Sequence, residues 1–514
     1  MPMAGEARPG VEAACLPSGD AKMPPGAGAA APGRRVHPPA SRTRAPPGAW
    51  LPIFAGRRSY DGHMHGLRGL AERTPPRRER YIDLLRALAI LIVVLGHWMV
   101  IVVTGGARGL DGFSALEVLP WGRPITWLGQ VMPVFFMVGG FANAASLISH
   151  TRGGGDVGDW LLDRSARLVR PTTVLLVTLA AAALIARLAG VDPAQVGRAV
   201  WLASIPLWFL LVYLMVVFLT PLMHRLHRRA GLVVPLVLVG LLAAGDVARL
   251  AFDAPTLQLG NYLFAWLAVH QIGFAWQDGT LPARPRVAVP LLVGGAAVAV
   301  LLTVAGPYPI SMVDVPGTSF RNLSPPTLAL LALATAQLGL VLLLRDTAER
   351  RLQRLGPWMA VIAMNSVILT VLLWHMSAFV LVAAVVYASG LFPLPQPPGD
   401  TAAWLLWKLP WLVVLFTVLG ALVAVFGRFE KRGMRRGAVT SRHWWTPRAL
   451  GRPRLRATAT TVGYAASVLG LLGVAVAGPA DHGPLGLPTA ALAIFLAGAA
   501  LLRAARMASG HRAG

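Results

Sequence analysis

Twelve apolar runs of membrane-spanning length divide the chain, near 84–103, 125–148, 171–189, 203–221, 232–250, 260–276, 287–305, 326–344, 358–388, 403–427, 460–478 and 488–503. About 20 apolar helical residues cross a hydrocarbon core of roughly 30 Å. The pattern therefore predicts an all-α, polytopic transmembrane helix bundle. The first run differs from most in carrying Arg86 and His97. Eleven residues separate them, close to three turns, so both side chains fall on nearly one face about 16 Å apart. A polar stripe inside a membrane helix is expensive and points to a functional site.

Composition agrees with the setting. With 55% hydrophobic and 13% charged residues this is no ordinary soluble chain. The single cysteine, Cys15, lies outside the runs, so no disulfide framework or thiol-rich metal site is available. Residues 1–79 are a different material. The first 80 residues hold 13 of the 41 prolines and no apolar stretch that could form a core. This segment is expected to stay disordered. It has no signal-peptide-like apolar core, so neither secretion nor cleavage is expected. A downstream translation start, for example at Met64, is the alternative.

Charge sets an expected orientation, because cytoplasmic loops collect Lys and Arg. With the N-terminus inside, the inner segments hold Arg152, Arg164, Arg167 and Arg170, then Arg225, Arg228 and Arg229, then Arg284 and Arg286. Further inner arginines are Arg345, Arg350, Arg351 and Arg354, a basic loop over 428–457, and Arg503, Arg506 and Arg512 in the tail. The outer segments keep only Arg108, Arg123, Arg187, Arg198, Arg249, Arg321 and Lys408. Both termini are thus expected in the cytoplasm, with the chain multi-pass in the cell membrane. The same bias explains the net charge of +25 without nucleic acid, since no basic stretch is interleaved with stacking aromatics in a soluble domain.

Other polar or small residues within the runs have plainer readings beside functional ones. His375 and His270 sit mid-span, where a buried histidine often only bonds helix to helix. Asp246 and Arg249 are three apart, which suits a local ion pair. Trp208, Phe209 and Tyr213 suit interfacial anchoring or bundle packing. Gly139 and Gly140 suit close helix approach. Asn322, before Pro325 and Pro326, suits either an acceptor contact or a cap on the next helix.

Together these motifs resemble the integral-membrane acyltransferase-3 family. The resemblance rests on Asp83-Leu-Leu-Arg86 leading to His97, and on Pro133-Val-Phe-Phe-Met-Val-Gly-Gly-Phe141. It rests also on the basic loop Arg164-Ser-Ala-Arg167-Leu-Val-Arg170-Pro171, on Pro206-Leu-Trp208-Phe209, and on Leu373-Trp374-His375-Met376. It covers Arg80 to Phe426, ten spans, so the expected organisation is an acyltransferase-like domain over 80–427, the basic loop, and two extra helices with a short tail over 458–514. The resemblance implies acyl transfer, usually acetyl from acyl-CoA, to a hydroxyl of a glycan, lipid-linked or secondary-metabolite acceptor. Acyl-CoA is then a co-substrate, with no bound cofactor and no metal. His97 is implied as catalytic base and Arg86 as its partner in the site. Arg164, Arg167, Arg170, Asp83 and His375 are implied in substrate binding. Where the family commonly has Ser in Phe-Phe-x-x-Ser-Gly-Phe, this chain has Gly139.

Chemistry makes these roles sensible. Transfer to a hydroxyl needs a base near neutral pH and positive charge or donors for the developing oxyanion. An inner arginine cluster suits the anionic head of acyl-CoA, because guanidinium forks match phosphate oxygens. The plainer reading of that cluster is a positive-inside signal. A secondary transporter using His97, His270 and His375 as proton carriers is the alternative function. The chain shows no convincing internal repeat or paired broken helices of the transporter kind. A scaffolding protein leaves the Arg–His stripe unexplained.

Overall fold

A computed structural model describes residues 68, 69, 71, 72, 74, 78–106, 109–391, 394–435 and 448–509. Nearly all of the expected tail and the centre of the basic loop lie outside these residues, as does Cys15. Among the described residues, eleven helices are long and apolar enough to cross a membrane. The chain is an all-α polytopic bundle.

Helix α1 spans Arg80–Val100 with Asp83 in its first turn. The first apolar run was expected to stay helical to Val103, but the chain turns at Ile101 into a hairpin. Strand β1, Ile101–Gly106, pairs antiparallel with β2, Gly109–Ser114. The cause is local: Ile101-Val-Val-Thr104 is β-branched throughout, and glycines follow. Helix α2 spans Met132–Arg152 with Pro133 in its first turn.

Helix α3 runs for 32 residues, Val157–Leu188. The Asp156 carboxylate caps it by accepting from the Gly158 N–H. The segment Arg164–Pro171, expected as a loop, is therefore helical. Pro171 is accommodated inside α3 at the cost of one backbone hydrogen bond. Next come α4, Pro193–Ser204, α5, Leu207–Ala230, and α6, Val233–Phe252.

Helix α7, Asn261–Gln277, is the expected sixth span; at 17 residues it is too short to count among the eleven and is largely enclosed. Its approach to α2 depends on glycine. A Cβ on Gly140 would lie 2.0 Å from the His270 carbonyl oxygen, and one on Gly273 would lie 2.1 Å from that of Met137. Helices α8, Pro285–Val300, and α9, Leu328–Leu352, follow.

The run near 358–388 does not form one span. It divides into α10, Leu355–Asn365, and α11, Ile368–Ala388. A straight helix of that length would measure about 46 Å, well beyond the hydrocarbon core. The break is held by Asn365, whose Nδ2 donates to the carbonyls of Asp83 and Val361. Helix α12 spans Thr401–Arg435, and α13, Pro453–Ala475, and α14, Thr489–Ser509, close the chain.

Several polar residues brace the loop over 306–327. The Asp246 carboxylate accepts from Gln258, Asn261, Tyr308 and the Leu328 N–H, each at 2.9 Å. The expected Asp246–Arg249 pair does not form. Arg249 instead donates to the Gln258 side chain and the Ser319 carbonyl, because neutral donors already fill the carboxylate. Asn322 is fully buried and donates to the carbonyls of Pro309 and Ser311. It therefore braces this loop.

Candidate functional site

Helices α1 and α11 bring two histidines together. His375 Nε2 lies 3.2 Å from His97 Nδ1, with ring centroids 5.1 Å apart. His97 Nδ1 is also 3.0 Å from the Val93 carbonyl, and His375 Nδ1 is 2.7 Å from that of Leu372. A carbonyl only accepts, so these partners assign the hydrogen to Nδ1 of both rings. His97 Nδ1–H is then shared between Val93 and the lone pair on His375 Nε2. His97 Nε2 is left as an unoccupied acceptor, with no partner among the described residues. Trp98 Nε1 donates to the His375 carbonyl at 3.1 Å and locks the two helices in register. Among the described residues no carboxylate hydrogen-bonds either ring, so backbone carbonyls orient the pair.

His97 lines a large cavity, about 2570 Å³. Its walls come from the C-terminal halves of α1 and α3, from α4, from the first turns of α5, and from α11 and α13. Ala89 is the first α1 residue to reach it. Arg86 lies outside the cavity, about one turn earlier along the same helix.

At that earlier end sits a group of cations. Asp83 pairs with Arg78 at 2.7 Å and with Arg86 at 3.4 Å. It is thus an orienting carboxylate beneath Arg86. Arg164 donates to the Ala142 carbonyl at 3.2 Å and lies over the Trp160 ring. Its Nε is buried without a partner, and it lies within electrostatic reach of Arg86 and Arg167. Arg167 is exposed and Arg170 half-buried, each one turn further along α3. Arg152 is exposed at the end of α2. Arg86, Arg164, Arg167 and Arg170 thus gather guanidiniums, whose forks match phosphate oxygens, at this end of the bundle.

The helix bundle agrees with a comparison of sequence families. The acyltransferase-3 model, described as an acyltransferase domain, matches residues 79–429. The chain belongs to the acyltransferase-3 family. It is a multi-pass membrane acyltransferase, a family that gives the transporter alternative no support. No curated protein and no solved structure matches the chain. Helices α13 and α14 lie beyond the family match.

Two features of this acyltransferase correct or extend the sequence reading. Lys408, counted above among outer-loop charges, is buried inside α12 and donates to the carbonyls of Trp98 and Ile101 at 2.8 and 2.9 Å. It thereby caps the end of α1 one turn from His97, where unpaired carbonyls and the helix dipole both favour a cation. The signal was present: Lys408 is a lone charge within an apolar run. His270, by contrast, is not at the cavity. Its Nε2 accepts from Asn143 Nδ2 at 3.2 Å, in the plain helix-to-helix role.

Proposed function

We propose that this acyltransferase moves an acyl group from cytoplasmic acyl-CoA to a hydroxyl acceptor held in the cavity, with His97 as general base. The observation that carries the reading is the unoccupied Nε2 lone pair of His97, a residue that lines the cavity and whose Nδ1–H is held by Val93 and His375. The hydroxyl proton passes to Nε2 as the acceptor oxygen forms its bond to the thioester carbonyl carbon. The carbon–sulfur bond then breaks, and His97 returns the proton to the departing thiolate. Positive charge on the protonated pair, shared through the 3.2 Å contact, offsets the developing oxyanion.

Arg86, Arg164, Arg167 and Arg170 hold the phosphorylated head of the donor. The pantetheine arm then spans the roughly 16 Å of α1 between Arg86 and His97. Asp83 keeps Arg86 aimed, and His375 keeps His97 in its basic tautomer. With both termini in the cytoplasm, the arginine end faces the donor pool and the cavity faces the outer half of the membrane. Acetyl is the favoured acyl group.

The test is turnover of labelled acyl-CoA by the purified full-length protein in nanodiscs. The expected result is acyl-CoA-dependent acylation of a hydroxyl, or slow hydrolysis when no acceptor is present. A protein that binds acyl-CoA yet never breaks the thioester with any acceptor sinks the reading. Orientation has its own check, with single cysteines at Ser319 and Thr347 after Cys15→Ser. An impermeant thiol reagent on intact cells should label position 319 and spare 347.

A further inference from the structure

We propose that α13, which lies beyond the family match and is backed by α14, walls the acceptor side of the cavity, and that the cavity takes an amphiphile: a hydroxylated head on a long apolar body. The proposal rests on the acyltransferase reading of the same cavity, and concerns the acceptor.

The pair is built into the bundle. Arg456 of α13 pairs with Asp159 of α3 at 3.5 Å, and Arg506 of α14 pairs with Asp163 at 2.9 Å. At the other end of α3, Arg187 pairs with Asp481 at 2.7 Å. Between Asp159 and Asp163, the Leu161 carbonyl accepts from the Tyr464 hydroxyl. One face of α13 is closed against α14 by close backbone approach: a Cβ on Gly470 would sit 2.5 Å from the Phe495 nitrogen. The opposite face carries Val468, Leu469, Leu472, Ala475 and Val476, at spacings that share one side of a helix, and all line the cavity. Leu469, Leu472 and Val476 are 58%, 42% and 73% exposed there. These apolar side chains meet the cavity rather than protein.

Size and chemistry point to the same ligand. Small-molecule pockets usually measure about 300–1,000 Å³, whereas this one is about 2570 Å³. Its walls are largely aliphatic and aromatic, unsuited to a sugar alone. Among its polar lining residues are Arg198 from α4, and Asp314 and Arg321 from the loop over 306–327. Arg198 Nε and one Asp314 carboxylate oxygen are buried without partners. A hydroxylated head supplies both the donor and the acceptor those atoms lack, and the apolar body lies along α13.

The test uses full-length protein in nanodiscs with acetyl-CoA and two acceptors sharing one sugar head, methyl glucoside and dodecyl glucoside. The dodecyl acceptor should be preferred in kcat/KM by at least about tenfold, given the apolar area it buries. Leu472→Trp, which narrows the cavity, should cut that preference by about tenfold; Ile494→Trp, on α14 away from the cavity, should preserve it. Leu469→Trp replaces Leu472→Trp if the latter fails to insert. Equal use of both acceptors overturns the proposal, as does an acceptor preference that Leu472→Trp leaves unchanged. Direct binding of tritiated dodecyl glucoside separates this idea from the catalytic one. Saturable binding weakened by Leu472→Trp supports the chamber even in a protein that fails to turn over acyl-CoA, and no saturable binding overturns it.

Discussion

Helices α1 and α3 each have two unlike ends. At their starts stand Arg86, Arg164, Arg167 and Arg170, with Asp83 and the buried, unsatisfied Nε of Arg164. Towards their ends the same helices offer Ala89, Ile90 and Val93, and Leu179, Ala182 and Ala183, to an apolar cavity that also holds His97. On the proposed mechanism the first end takes the anionic head of the donor and the second holds the base, so a long substrate joins them.

Removing the base should break this arrangement most severely. His97→Ala is expected to lower acyl transfer about 10²–10⁴-fold at unchanged membrane abundance. Retention of activity near the wild-type level would remove His97 from the mechanism. The cation end should respond differently, through donor affinity. Arg164→Ala loses a charge-assisted contact of about 1.5–3 kcal/mol, so acyl-CoA binding should weaken about 10- to 100-fold while acceptor KM stays near wild type. If titration calorimetry finds donor affinity unchanged in Arg164→Ala, the arginines serve orientation alone.

Smaller effects sharpen the contrast. His375→Ala removes one acceptor from His97 Nδ1–H, so kcat should fall about tenfold or less, with His375→Gln recovering part of the loss. Equal loss in both variants would mean that His375 only fills space. Lys408→Met leaves the Trp98 and Ile101 carbonyls uncapped, and kcat should fall several-fold, about 1 kcal/mol, with donor affinity intact.

The smallest effect concerns the cavity lining. Burial pushes the Asp314 carboxyl above its usual value, partly opposed by Ser324 and Arg321. The folded state therefore favours the protonated acid. Its contribution to stability is full below the unfolded carboxyl range and is lost as pH rises through the higher folded value. Asp314→Asn should remove that loss, seen as a thermal midpoint that no longer falls over this pH window. An unchanged pH profile would show that Asp314 is not the group responsible.

Much of this molecule was legible in its pattern of residues. Apolar runs of about 20 residues have few alternatives in a bilayer, since every backbone polar group must be satisfied internally. The twelve expected helical runs follow from that, as does the prominence of Arg86 and His97 as ionisable groups within one. The local exceptions turned on competing short-range signals. The β-branched run after Val100 made a hairpin, and the Asp156 cap turned an expected loop into helix.

What the sequence by itself determined was the helical class, the arginine stripe and a histidine on the same helix. Only the tertiary structure decided what that histidine is. Its ring partner is His375, which lies 278 residues away, and its helix end depends on Lys408, 310 residues beyond Trp98. The cavity wall likewise depends on α13, outside the family match. Helical periodicity encodes which side chains share a face of one helix, whereas these contacts depend on which helices become neighbours. That choice is made by packing, and no local pattern records it.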